Sequence, residues 1–464
     1  MGTTARSPET EGHWAPYEPD DKAPWNLRRV VHLHRRAGFA ATWGEIQRDL
    51  KDGPKASLDR VLAGKSAVEG VPKEFQKIAN LLGESADPSG DPGRLKAWWV
   101  YRMIYGPDPL GERLTLLWHN HFATSNVKVE DLGAMRRQNE LFRKYARAPF
   151  ADMLNAAFRD PALLIWLDAP ANRKGHPNEN LGRELMELFT LGVGHYTEED
   201  VKEAARALTG WTVVEDKFEE APARHDAGLK TILGRRGPWK ASDLVRMLLE
   251  HPATADRLTM RICELFMGEG AVRPEEVAAL AAGLREHQLD VNWAVEKVLR
   301  SQAFFAEGNL GSRVQGPIEY VVGAARALEL FDPPSSTLVL AEWTTRLGQD
   351  LFYPPNVGGW TQGRAWLTTR ALIGRANYAA ALIEGKQVGR DLALDPVALA
   401  QRHKQAANRD SVLNFYLSLL LGTELSSAWR ERLAGTLDSK TWPDSVALRR
   451  ALALILATPE AQLA

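Results

Sequence analysis

From Asn26 to the C-terminus apolar residues return at every third and fourth position, alanine and leucine abound, and alternating β-branched runs are nearly absent. That spacing matches the turn of an α-helix and not the two-residue alternation of a strand. It restricts this chain of 464 residues to a mainly α, large multi-helix globular fold. Helices are expected over 26–37, 42–52, 55–64, 73–83, 91–105, 109–121, 130–147, 150–158, 161–167, 177–191, 198–209, 240–250, 252–267, 274–287, 291–301, 313–330, 338–348, 363–385, 395–407, 410–421, 425–435 and 444–457. Only the stretch near 211–239 departs. There Thr212, Val213, Val214, Thr231, Ile232 and Leu233 lie among glycines and charges, which predicts an irregular loop or a small β-hairpin insertion.

The polar, proline-bearing residues 1–25 read as a disordered tail without the charged start and apolar centre of a signal peptide, which points to a cytoplasmic protein. Residues 26–385 read as the main helical domain, and GKQVGRDLALDP as a linker into a C-terminal helical subdomain at 386–464. No apolar run approaches the roughly 18 residues that span a membrane. With 58 basic against 59 acidic residues the net charge is −1, so no global field favours nucleic acid. The single cysteine, Cys263, lies among Ile262, Leu265 and Phe266 and reads as a core thiol.

His176 to Trp211 is the stretch richest in chemistry. Pro177 suits a helix start and Gly192 and Gly194 its end, so 177–191 reads as one helix with Leu181, Leu185, Leu188 and Phe189 as its apolar stripe. Asn180, Glu184, Glu187 and Leu191 then share one flank of that stripe, while Glu179, Arg183 and Thr190 point away. Glu184 should be at least half-buried, where a carboxylate needs a cation, a metal or several donors. Thr197 to Asp200 opens a second helix that closes at Gly210 and Trp211, completing a helix hairpin.

The wording of this stretch, NENLGRELMELFTLGVGHYTEEDVKEAARALTGW, resembles the hallmark segment of the bacterial "domain of unknown function 1800" family. Further landmarks follow in register: HLHRRAGF at His32 to Phe39, LLWHNHFATS at Leu116 to Ser125, HDAGLKTILG at His225 to Gly234, HPATADRL at His251 to Leu258, and PPNVGGWTQGRAWL at Pro354 to Leu367. The resemblance covers roughly residues 26 to 385. It implies no settled activity. Through the family's habit of occurring beside a "domain of unknown function 1501" family, it implies a protein of that second family as partner, with export alongside it as the alternative to a cytoplasmic location.

Two readings fit the charged residues. In the first, Glu184, Glu187, His225 and Asp226 are catalytic, and His121, Glu184, Glu187 and His225 ligate a divalent zinc, iron or manganese ion that activates water for hydrolysis or carries redox chemistry. Asn180, Arg183, Trp211 and Trp360 then contact the substrate. In the second, Glu184, Glu187, Arg183, Arg206 and Arg36 form a salt-bridged core without chemistry, His121 is satisfied by a backbone carbonyl, and His225 and Asp226 shape a turn. No HExxH, di-iron ExxH, CxxC, GxSxG, GxxxxGK or strand-led GxGxxG is present. A non-enzymatic alternative rests on Trp343, Trp360 and Trp366 around the Gly358–Gly359 pair: a binding or assembly protein whose aromatic platforms meet a partner or a cell-surface polymer.

Overall fold

The computed structural model describes residues 12–64, 74–389, 392–436 and 444–464. Within them the chain forms twenty-two α-helices, and the named strands are confined to two antiparallel hairpins, so the fold is mainly α with a small β insertion. Several helix starts follow from caps written in the sequence. The Asn26 side chain accepts from the Arg29 N–H, and Thr42 with Glu45, like Thr197 with Asp200, closes a reciprocal capping box. Trp43–Leu62 is two helical limbs joined at a kink, where Gly53 sits at φ 81°, ψ 173° just before Pro54, in keeping with the two helices expected there.

The interruption near 211–239 resolves into two hairpins. Trp211–Val214 pairs with Lys217–Glu220, and Lys230–Ile232 with Arg235–Gly237. Glu215 and Asp216 turn the first, Leu233 and Gly234 the second, all four at positive φ. That turn geometry matches the twist of the strands it joins.

Two buried apolar clusters hold the helices together. One gathers Val30, Trp98, Trp99, Tyr378, Tyr416 and Leu452; the other gathers Leu33, Trp118, Phe122, Phe189, Ile262 and Phe304. Leu27–Ala37 serves both, with Val30 and Val31 in the first cluster and Leu33 and Ala37 in the second. The helices beyond residue 386 share the first cluster with this N-terminal helix. The segment before that helix is anchored from Trp14 onward. Trp14 is 4% exposed and its indole donates to the Glu276 carbonyl at 2.9 Å, while Tyr17 packs on Phe305 with ring centres 4.6 Å apart. Residues 1–11 lie outside the described residues. No described helix is long and apolar enough to cross a membrane.

Three core histidines are held neutral. His32 meets the Phe304 carbonyl at 3.0 Å and His121 the Phe189 carbonyl at 3.1 Å, while His119 sits between Trp99 and Trp360. Burial is the first cause in each case, taking His119 down to about 3 and the other two well below their ordinary 6.5. The unfolded chain therefore binds protons that the folded chain refuses, and stability is lost as pH falls below 6.5. Each of the three should cost about 1.4 kcal/mol per pH unit until its folded value is reached. Denaturant melts at pH 7 and pH 5 check this; equal stability at both would show that these rings take up protons without unfolding.

Candidate functional site

The central hairpin does not begin where a proline-led helix would. The Asn172 side chain accepts from the Asn178 N–H at 3.0 Å, and Asn178 accepts from the Asn180 N–H at 3.0 Å, so successive side-chain turns hold Pro177 and Asn178 outside the helix. The α-helix spans only Asn180–Glu184 and continues as a π-helix over Leu185–Thr190. A π turn takes in one extra residue, which rotates everything after it by about 100° from the α register. That explains why Thr190, expected to point away from the stripe, is fully buried. The tight end of the π-helix is finished by side chains. Arg257 Nε donates to the Leu188 carbonyl at 2.6 Å, and His121 Nε2 takes the Phe189 carbonyl.

Glu184 is half-buried, as expected, but none of its three anticipated cations forms an ion pair with it. Arg36 donates instead to the carbonyls of Phe266 and Asn309, both at 2.8 Å; Arg183 pairs with Glu179 and Glu198; Arg206 pairs with Glu203 and Asp226. The expected salt-bridged core is not formed. Among the described residues Glu184 makes no hydrogen bond or ion pair, and burial, then the charge of Glu187, raises its carboxyl above the ordinary value against the pull of Arg183. Glu187 accepts a short hydrogen bond from the Tyr196 hydroxyl, and burial together with that bond pushes the phenol up to about 12.

The expected metal ligands are not brought together. Among the described residues no group of three or more His, Cys, Asp and Glu side chains is placed to hold a metal ion. His121 spends Nε2 on a backbone carbonyl, His225 turns Nδ1 to the Thr209 carbonyl at 3.0 Å, and Asp226 is held down to about 2, first by its hydrogen bond from Arg206. Asn180 donates to Asp168 at 3.2 Å, and Trp211 is buried against Phe218 beneath the Arg159 guanidinium. Trp360 lies elsewhere, in the wall of a cleft.

That cleft joins a small inner cavity of about 70 Å³, which Trp360 lines, to a larger outer one of about 890 Å³, and Glu269, Arg313, Val314 and Gly363 line both. The walls of the two cavities come from six distant segments: Gly12 to Ala23, Leu116 to Asn120, Glu264 to Glu276, Gln302 to Glu319, Gln349, and Trp360 to Trp366. The WHNH and NVGGW motifs build the inner end. The Asn120 side chain accepts from the Trp360 N–H at 2.7 Å across a contact so close that a Cβ on Gly359, at φ 85°, would lie 2.1 Å from Asn120 Oδ1. Only glycine fits there.

Charge in the inner wall is steeply graded. Glu319 is buried between Arg113 and Arg313, bonded to both, and these cations hold it down to about 2 despite its burial. Glu264, 3.7 Å from Arg261, moves the other way: burial first, then the charge of Glu269, raise its carboxyl above the ordinary value. Glu269 is exposed and, among the described residues, unpaired. One wall thus carries a carboxyl held far below its ordinary value and one pushed above it, an arrangement suited to acid and base work. Asn120, Glu264, Glu269, Arg313 and Glu319 were not singled out in the sequence. The signal that could have found them is the pair of glycines beside Trp360, which calls for a close backbone approach.

No curated protein and no solved structure matches the chain. The profile described as "Protein of unknown function (DUF1800)" matches residues 32–463, beyond the extent of the resemblance read from the motifs, and the chain belongs to that family.

Proposed function

We propose that the protein is an acid–base hydrolase that takes a polar substrate into the cleft behind Trp360. Glu264 supplies a proton to the leaving oxygen, and Glu269, as carboxylate, accepts one from the attacking water. The observation that carries the reading is the raised carboxyl of Glu264 in the wall of the small inner cavity, which joins the large cavity through Glu269 and Arg313. Arg313 is fixed by Glu319 and presents a charged edge to both cavities, a contact for polar substrate groups. One observation favours the central hairpin as a second centre: Glu184 is raised, unpaired among the described residues, and beside Glu187 on a π-helix, a backbone form frequent at functional sites. There Glu184 and Glu187 serve as the acid–base pair, with Asn180 and Arg183 flanking the substrate.

A single experiment separates the two. The whole chain is screened against chromogenic esters and glycosides, with Gly308→Trp, Glu264→Gln and Glu184→Gln alongside. Gly308 lines the large cavity and open space surrounds the position of its Cβ, so an indole there narrows the cleft without a clash at its root. Glu264→Gln should cost about 10²- to 10⁴-fold in turnover while leaving binding within about twofold, and Gly308→Trp should abolish binding. Turnover that survives both changes but is lost in Glu184→Gln would move the chemistry to the hairpin.

A further inference from the structure

The inner cavity is furnished with donors as well as acids. Gln349 and Asn120 both line it, the first from the turn after the helix Thr337–Arg346 and the second from the end of the helix Pro109–His121. Each side-chain amide is pinned through its oxygen: Gln349 Oε1 accepts from the Ile318 N–H at 3.1 Å, and Asn120 Oδ1 from the Trp360 N–H at 2.7 Å. A backbone N–H can only donate, so these two bonds settle which branch of each amide is the nitrogen. Gln349 is 7% exposed, yet its NH2 group, like that of Asn120, meets no acceptor among the described residues. Neither nitrogen is sealed off, as the Trp360 indole N–H is. Two unspent donors of fixed orientation in one chamber of about 70 Å³ call for a single small group that presents oxygen.

Resting on the reading of this cleft as a hydrolase site, we propose that the Gln349 and Asn120 amides hold the carbonyl oxygen of a carboxylic ester, and that the bond cleaved is acyl rather than glycosidic. Charge decides between the two. In ester hydrolysis the carbonyl oxygen becomes an oxyanion, which neutral N–H donors already in place stabilise. In glycoside hydrolysis the charge that develops is positive and lies on the sugar ring, where such donors give no help. A phosphate ester would bring its negative charge against Glu264, Glu269 and Glu319, whereas a carboxylic ester enters neutral. Water attacks the acyl carbon and gives a proton to Glu269; the bond from that carbon to the alcohol oxygen breaks, and the departing oxygen takes the proton of Glu264. Acid and alcohol leave, and a proton returned from Glu269 to Glu264 resets the pair.

Turnover of para-nitrophenyl butyrate and para-nitrophenyl glycosides by the full chain tests this. Gln349→Glu keeps the oxygen that Ile318 meets and gives up the donors; Gln349→Met gives up the donors without adding charge. Both should lower kcat on the ester by about 10²- to 10³-fold while KM stays within about threefold, a split that a merely structural side chain does not produce. Should both fail to fold, Asn120→Asp, which keeps the Trp360 bond, carries the same expectation. Ester turnover that is lost in Glu264→Gln but unchanged in the Gln349 and Asn120 variants overturns the assignment and leaves the cleft as the site. Glycosides cleaved in preference to the ester, with Glu264 required, do the same. Ester turnover that survives Glu264→Gln removes the reading of the cleft and this inference with it. A chain that cleaves no ester overturns the inference, whatever it does to the glycosides.

Discussion

Replacing Glu319 with glutamine should lower the stability of the folded chain by about 3–5 kcal/mol, read as a shift in the denaturant midpoint. The reason is burial. Arg113 is completely buried, the Arg313 side chain is 10% exposed, and Glu319 is the carboxylate that both meet. Without it two guanidinium groups stay in the interior with their main counter-charge gone, a far greater penalty than the loss of an exposed pair. The same group sets an acid limit. Its folded pKa of about 2 lies below its ordinary 4.5, so its contribution is full above 4.5 and is lost as pH falls towards 2. That window overlaps the lower part of the one in which the core histidines take up protons, so the native loss of stability should steepen below pH 4.5 and steepen less in Glu319→Gln. A variant as stable as the native chain would mean that water reaches Arg113 and Arg313.

The Gly359→Ala change should be nearly as damaging for a geometric reason. A left-handed residue with a side chain costs about 1–3 kcal/mol, and a Cβ at 2.1 Å from Asn120 Oδ1 and 2.7 Å from the Asn120 carbonyl forces the loop away from the helix Pro109–His121. With the loop goes the Asn120–Trp360 bond, worth about 1 kcal/mol. Altogether about 3–5 kcal/mol should be lost, and Trp360 emission should move to the red as its ring leaves His119. An Asn120→Ala, Gly359→Ala double variant should recover part of the loss, because the clash with the side chain is removed. No recovery would place the damage in the backbone conformation alone.

Much of the helical order is legible in the sequence because the three-and-four spacing and side-chain caps are local. Asn26, Thr42 with Glu45, and Thr197 with Asp200 mark helix starts from within a few residues. The π-helix is not legible, since an extra residue in a turn leaves no periodic trace; nor are the hairpin turns, which use Glu215-Asp216 and Leu233-Gly234 where asparagine–glycine would have announced them. The cleft was least visible. Arg113 and Glu319 are 206 residues apart, and the walls run from Gly12 to Trp366, so no local pattern ties them together. Glu184 shows the converse: its burial follows from helix geometry, but its lack of a cation depends on where Arg36 goes, which only tertiary packing decides.

The extra residue of the π-helix has a bearing on how relatives should be aligned. Two helices touch both the π-helix and the cleft. Pro109–His121 offers His121 to the first and Asn120 to the second, and Pro252–Phe266 offers Arg257 to the first and, about 10 Å further along its axis, Glu264 to the second. A one-residue gap within Leu185–Thr190 is therefore not a neutral trim. It would restore an ordinary turn, withdraw the two carbonyls that anchor these helices, and shift the purchase of both at their far ends. Relatives that carry such a gap should be grouped apart from this chain before any residue of the cleft is compared between them.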